Sequence, residues 1–320
     1  MANYQYSQDL LHDALFRSGE PTDGTSDYDD KALEYLNRVY QALWLGGAEL
    51  DPSCNEEWSW LLSTTPGTIT IQPIIETGTI TVTNNSAAIV FSSAPAASVA
   101  GWFFRVNNTQ DIFRIATHTA ASVNATLDSV YTTGSLAGAG YRLMRLDYTL
   151  SADVLRLISP MRVYRENRRE IKGASLLALE RRYPLVDIQT GVPWEFAQVS
   201  ETTVRFSHCG SDSENDYIRV DYDYLKKPAA LTDSASEEPI IPLQRRRILS
   251  DFVTYFLMLD KNDDRADAEG LMAKSGLRAM AIEHRRRMAG WTSNMGKIMP
   301  RAGDTYPVAI PRTESGLIIG

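Results

Sequence analysis

At 320 residues the chain exceeds the usual size of a single domain, so we expect one main domain that carries at least one insertion. Its composition, 43% hydrophobic and 22% charged, excludes intrinsic disorder and collagen-like structure. A formal net charge of -8 argues against a protein that wraps duplex DNA, which needs a basic surface, but it allows a surface past which DNA slides.

Apolar residues at helical spacing predict three helices in the N-terminal part of the chain. The first follows a candidate cap at Ser7, and the second begins near residues 25–27 and ends at the glycine pair 46–47. A third, short helix is predicted after Ser53, because Glu56 stands three residues later and completes a capping-box spacing.

The middle of the chain changes to a period of two, which is typical of half-buried strands. Short strands bounded by turn residues are predicted at 68–71, 79–83, 87–91, 102–106, 112–116, 125–127 and 141–145. Several short strands with turns at such spacing indicate a small barrel or sandwich.

A second mixed region follows this barrel or sandwich. Ser175 is predicted to cap a helical turn over residues 176–182. Three further strands, at 194–199, 202–206 and 217–224, are expected to form an antiparallel meander.

Two helices are predicted near the C-terminus. One spans Ile248 to Leu259 with the basic run 245–247 near its start, against the preference of the helix dipole. The other runs from about Asp263 to Met288, and its apolar pattern is carried by Ala268, Leu271, Met272, Ser275, Ala279 and Ile282. We expect Gly290 to end it.

Helices from both ends of the chain most simply pack together as one bundle. The predicted class is therefore α+β: a helical bundle formed by N- and C-terminal helices, with an inserted small β-barrel or sandwich domain and a second antiparallel β region. The predicted segments are the N-terminal helices (1–65), the inserted β domain (66–148), the mixed antiparallel β region (149–230), the C-terminal helices (231–290) and an extended arm (291–320).

The last 30 residues, 291–320, carry apolar side chains between frequent Gly and Pro residues, which fits neither a helix nor a long strand. One interpretation is a frayed tail. The other is an arm that docks on a neighbouring subunit, because apolar anchors without internal structure need a partner surface. The candidate partner-binding residues are Trp291, Met295, Ile298, Met299, Tyr306, Val308 and Ile310.

Candidate catalytic and metal-binding residues form no known constellation, so we expect neither an enzyme nor a cofactor. Cys54 and Cys209 lack the spacing of a zinc site or a disulfide framework. Asp221 and Asp223 share one face of a predicted strand, where a solvated face is the favoured interpretation. The four histidines lie on separate predicted elements: His12, His118, His208 and His284.

Basic residues occur in clusters on this acidic chain. Such patches are expected where subunits meet through complementary charge, whereas a nucleic-acid role is disfavoured because aromatic residues are rarely interleaved with them. The clusters are Arg162, Arg165, Arg168, Arg169 and Lys172, then 181–182, 245–247 and 285–287.

The N-terminal stretch from Leu10 to Trp44, with Gly-Glu-Pro at 19–21 and Leu-Asn at 36–37, resembles the opening helices of tailed-phage head-to-tail adaptors. Other segments are similar to tail tubular proteins of the A type, so that the resemblance covers about residues 8 to 288. These segments are 101–105 with 113–116, Leu127 with Tyr131, 147–154, 181–184, 191–196, 217–224 with the following Lys-Lys-Pro, and the final helices.

The resemblance implies a structural virion protein of the neck. Members of this family form a ring under the portal, usually of twelve subunits, which connects the capsid to the tail and leaves a channel for DNA. The implied partners are the portal protein, a downstream tail, nozzle or tail-completion protein, and other copies of the chain. The implied localisation is the virion, after assembly in the host cytoplasm, with no membrane association.

Two other functions remain open from the residues alone. A receptor- or glycan-binding tail module would use the Thr- and Asn-rich β insertion, with Trp102 exposed to grip sugar, although a core position suits that indole better. A glycosidase would need two carboxyl groups that face each other in a cleft.

Overall fold

In this computed structural model the described residues are 4–22, 24, 28–164, 169–185, 188–211 and 217–295. The chain forms two compact units, which we call the helical unit (Met1–Leu61 with Pro228–Gly320) and the β unit (Leu62–Lys227). The predicted α+β class, with helices from both chain ends and a barrel-like insertion, is confirmed. None of the described helices is long and apolar enough to span a membrane.

The described α-helices are α1 (Ser7–Arg17), α2 (Asp29–Trp44), α3 (Leu176–Arg182), α4 (Arg247–Asp260) and α5 (Ala266–Met295). In the helical unit, α4 packs against α1, α2 and α5, so helices from both ends of the chain do form one bundle. Arg17 of α1 ties this bundle together, because its two terminal nitrogens lie 2.6 Å from Asp251 of α4 and 2.6 Å from Glu269 of α5.

Two local predictions for the helical unit were wrong. Ser7 does not cap α1; its hydroxyl donates to the carbonyl of Thr232 at 2.6 Å instead. The capping-box spacing at Ser53 starts no helix, because the Ser53 N–H and hydroxyl both donate to Asp51, and only a short 3-10 turn at Ser59–Leu61 follows. The predicted start of α2 at 25–27 lies outside the described residues.

The basic run 245–247 precedes α4 for a structural reason. Arg246 is buried, and its guanidinium donates to the carbonyls of Ile241 and Gln5 and to the carboxylate of Glu238. It therefore joins the linker before α4 to the residues before α1. These bonds compensate for a cation at the positive end of the helix dipole.

The strands described in the β unit are, in chain order, β1 (Gly67–Ile71), β2 (Ile80–Val82), β3 (Ser86–Phe91), β4 (Phe103–Val106), β5 (Phe113–His118), β6 (Asn124–Tyr131), β7 (Leu136–Ala139), β8 (Tyr141–Met144), β9 (Asp147–Thr149), β10 (Val154–Val163), β11 (Glu170–Ala174), β12 (Gln189–Thr190), β13 (Glu195–Ser200), β14 (Thr203–Phe206), β15 (His208–Cys209) and β16 (Ile218–Lys226). They form two seven-stranded sheets and one short two-stranded sheet.

The curled sheet has the strand order β7-β2-β3-β6-β5-β4-β8. Its two edge strands follow each other directly in the chain through Gly140, so the sheet bends almost into a barrel around one core. Strands β4 and β5, which correspond to the strands predicted at 102–106 and 112–116, pair antiparallel as a hairpin. Strand β7 was missed, because its glycine-rich sequence suggests a loop rather than a strand.

The main sheet has the order β1-β16-β10-β11-β13-β14-β9 and differs from prediction in membership and direction. Strands β1 and β9, assigned to the inserted domain 66–148, pair with β16 and β14 of the main sheet. Strand β16 lies between β1 and β10 rather than beside β14, and its alternate residues face the apolar core of this sheet.

The second region is also not wholly antiparallel. Strands β11 and β13 pair in parallel, as do β12 and β15. Helix α3 lies between β11 and β13 in the chain and supplies the crossover that parallel strands require. The helical turn itself is as predicted, since the Ser175 side chain accepts a hydrogen bond from the Ala178 N–H.

The buried carboxylate of Asp147 connects the two large sheets. Arg205 of β14 donates two hydrogen bonds to Asp147 of β9, at 2.7 and 3.0 Å, and a third to Glu180 of α3 at 2.9 Å. Arg114 of the curled sheet also contacts the Asp147 carboxylate, at 3.1 Å. The carboxylate of Asp147 is only 7% exposed, so these cations are what makes its charge tolerable in the interior.

Candidate assembly surface

Helix α5 has two apolar faces, of which one packs inside the helical unit. This inner face carries small residues that let the neighbouring helix approach; at Gly270, for example, an added Cβ would lie 2.7 Å from the ring of Tyr255 in α4. Leu277 of the same face is fully buried, and a Cβ added at Gly47 would lie 3.4 Å from its side chain. The buried apolar residues of this face are Ala266, Ala273, Leu277, Met280 and Ala281.

The other face, which we call the outer face, points to solvent. Its large side chains are exposed: Leu271 by 70%, Met272 by 59% and Ile282 by 47%. The smaller residues between them, Ala268, Ser275 and Ala279, are exposed as well. An apolar stripe of this kind on a surface helix typically marks an interaction site.

The outer face is the same set of residues from which the sequence pattern predicted the helix. Apolar residues at helical spacing normally face the core. In α5 the core face is built instead from glycine, alanine and two large residues, because close packing on α4 requires small side chains. Most of the large apolar residues of α5 are therefore exposed to solvent on the outer face.

Helix α5 also runs further than predicted, because Gly290 does not end it and the helix continues to Met295. Two of the candidate partner-binding residues, Trp291 and Met295, therefore belong to the last turns of this helix and not to an arm. The structure does not describe their side chains. The other candidates lie outside the described residues: Ile298, Met299, Tyr306, Val308 and Ile310.

Most of the basic clusters are neutralised within the chain rather than offered to a partner. Pairs link Arg162 to Asp223, Arg182 to Glu195, Arg245 to Glu283, Arg247 to Asp251, Arg285 to Glu56 and Arg287 to Glu283. Arg165 and Arg168 lie outside the described residues. Asp264, in the turn before α5, and Arg286, on α5 beyond Ile282, are exposed and have no ion-pair partner within the described part of the chain.

An ion pair also holds the inner side of α5 to the N-terminal segment. Asp51 is 2% exposed and accepts hydrogen bonds from Arg278 of α5 and from the N–H and hydroxyl of Ser53. The Arg278 guanidinium, followed by the Ser53 donors, lowers the pKa of Asp51 to about 2.

The other residues singled out in the sequence do not form a reactive site. Asp221 and Asp223 each lie beside an arginine, Arg219 and Arg162 respectively. His118 is buried and its Nδ1 accepts from the Val99 N–H, so it is a satisfied core residue. Within the described ranges, no group of three His, Cys, Asp or Glu residues could hold a metal ion.

Trp102 is not available to a ligand, since it is only 7% exposed and lies in the core of the curled sheet. The exposed indole of the β unit is Trp194, at 55%. It lines a cleft of ≈ 450 Å³ together with Arg169, Glu170, Lys172, Tyr183 and Glu195. Sequence reasoning placed Trp194 at the start of a strand, and the preceding Gly-Val-Pro at 191–193 was the available signal that it stands at a turn.

No protein-family model matches the chain, and no curated protein matches it.

Proposed function

We propose that this protein is a structural virion protein: a head-to-tail adaptor that forms a ring under the portal, connects the capsid to the tail and leaves a channel for DNA. Its partners would be the portal protein, a downstream tail protein and further copies of itself. The resemblance to tail tubular proteins of the A type motivates this proposal.

The observation that carries the proposal is the outer face of α5. A solvent-exposed helix face with three large apolar residues has no role within the fold, and burying it against another subunit is favourable. The face belongs to the helical unit, which both chain ends build together. The helix that bears it leads directly into residues 296–320, the segment that would reach the portal.

The mechanism would be geometric rather than chemical. A rigid bundle, cross-linked by Arg17 between three helices, would present the outer face in a fixed direction. The β unit is inserted between the two segments of the chain that build the bundle and would contact the tail. DNA would pass an acidic protein, which repels phosphate and so does not grip it.

Truncation at two positions tests the proposed portal attachment. A chain that ends after Met295 keeps α5 intact, whereas one that ends after Gly290 also removes the last turns of the helix. We expect the chain that ends after Met295 to unfold at the wild-type temperature but to lose binding to the purified portal of the virus that encodes the protein. Wild-type portal binding by the chain that ends after Met295 would contradict the proposal.

A carbohydrate-binding tail module is the second candidate, and the Trp194 cleft is the observation that favours it. Sugars stack their apolar faces on exposed indoles, while their hydroxyls both donate and accept hydrogen bonds. Two buried polar atoms of residues that line this cleft, Arg169 Nη2 and Glu195 Oε2, have no hydrogen-bond partner in the described part of the protein.

Titration of the full chain with host surface polysaccharide, followed by tryptophan fluorescence, tests this second candidate. The sugar-binding module would be favoured by a change in fluorescence that is lost in Trp194→Ala. The same change should persist in Trp60→Phe, which alters an indole of the helical unit. An unchanged spectrum would count against the sugar-binding module.

A further inference from the structure

The outer face of α5 is complementary to itself when a second copy is turned end for end. Ser275 lies at its centre, with Ala268 and Ile282 seven residues to either side. In an antiparallel pair of helices centred on Ser275, each residue faces the one at the same distance on the other side of the centre. Ala268 of one copy therefore faces Ile282 of the other, and Leu271 faces Ala279.

Each of these pairings sets a large side chain against a small one. Ile282, 47% exposed, meets an alanine, and so does Leu271, which is 70% exposed. Alternation of large and small residues across facing positions is what lets two helices approach closely and interdigitate. A parallel alignment would instead place Leu271 against Leu271 and Ala268 against Ala268, which leaves bulges and gaps along the same face.

The charges at the ends of the face agree with the antiparallel alignment. Arg286 lies on α5 eleven residues after Ser275, and Asp264 lies in the turn before α5, eleven residues before Ser275, so each would lie close to its opposite charge on the second copy. Both are exposed, and neither has an ion-pair partner among the residues that the structure describes. A parallel alignment would bring like charges together at both ends, which disfavours it.

We propose that the outer face of α5 binds a second copy of this chain, antiparallel, across a two-fold axis at Ser275. Such a contact is isologous and closes at two copies, so it cannot by itself build a ring. The pairing therefore describes the protein in the absence of the portal, and ring formation requires the two copies to separate. The inference does not depend on the adaptor function.

Disulfide trapping in the full chain, without any portal, tests the pairing. In Ser275→Cys the two introduced thiols meet at the axis, within the Cα separation of about 4.4–6.8 Å that a disulfide needs. In the matched control Ala268→Cys, on the same face of the same helix, the two thiols are about 21 Å apart along the helix axis. The native Cys54 and Cys209 are buried and give a low background.

Under mild oxidation of dilute protein, we expect Ser275→Cys to form disulfide-linked dimers at about tenfold the yield of Ala268→Cys, given these separations. Adding Leu271→Gln and Ile282→Gln to Ser275→Cys should lower the yield to that of the control. Equal yields from the two cysteine variants, or no covalent dimer from either, would overturn the proposal.

The charge pairing has a separate readout. Asp264→Arg should lower the Ser275→Cys cross-linking yield, and adding Arg286→Asp should restore it, because the double exchange rebuilds two opposite-charge pairs. Failure of the double variant to exceed the single one would refute the alignment.

Discussion

Two leucines on one helix offer a direct comparison of the inner and outer faces of α5. Leu277 is fully buried, whereas Leu271 is 70% exposed. Truncation of a buried leucine to alanine costs about 2–5 kcal/mol, because it removes apolar contacts and leaves a cavity. We therefore expect Leu277→Ala to lower the free energy of unfolding of the helical unit by about 3 kcal/mol.

For Leu271 the same truncation lowers the free energy of unfolding much less. Complete burial of a leucine side chain stabilises a fold by about 2 kcal/mol. Because Leu271 is 70% exposed, the part of it that is buried stabilises the fold by roughly 0.6 kcal/mol. The higher helix propensity of alanine returns about 0.2 kcal/mol of this loss. We expect Leu271→Ala to change the free energy of unfolding by less than about 0.5 kcal/mol.

Denaturant unfolding followed by circular dichroism measures both variants. Because the chain forms two compact units, the curve is fitted with one transition for each, and only the transition of the helical unit should move. The measurement is made at a protein concentration low enough to keep the chain monomeric. A loss for Leu271→Ala as large as that for Leu277→Ala would refute the assignment of the outer face.

Three further predictions concern buried contacts. Arg205→Met leaves the buried Asp147 carboxylate without its bidentate partner and should destabilise the β unit by about 3–5 kcal/mol in denaturant unfolding. The Arg278 guanidinium and the Ser53 donors lower the pKa of Asp51 to about 2, below its value of about 4 in the unfolded chain. The ionised carboxylate therefore stabilises the fold above pH ~4, and this stabilisation is lost as the pH falls towards ~2. Thermal unfolding of Asp51→Asn should therefore vary less with pH in that window than the wild type. Gly67→Ala places a Cβ against a packed tyrosine ring and should cost about 1–3 kcal/mol in the same unfolding assay.

The fold class followed from the sequence because period and composition change clearly along the chain. Helical spacing near both ends and period-two alternation in the middle are local signals, and local signals are strong for long periodic segments. Sheet membership was harder to predict. Strand β1 pairs with β16 about 150 residues away, and the residues of β1 do not indicate which strand or sheet it pairs with.

The candidate site shows a different limit of sequence reasoning. The apolar pattern of α5 correctly indicated a helix, but a pattern reports only that a face is apolar and not what covers it. The inner face is built largely from alanine and glycine, which carry little hydrophobic signal. The pairing of most arginine clusters with acidic residues far away in sequence, such as Arg285 with Glu56, was likewise invisible without the structure.

The mass of the purified protein, alone and mixed with its cognate portal, is the most direct test of the proposed adaptor function. Native mass spectrometry distinguishes single chains, pairs and rings without labelling. The account predicts that the protein alone forms nothing larger than a pair and that addition of the portal produces a complex with portal-matched stoichiometry. A mass that the portal leaves unchanged would contradict it.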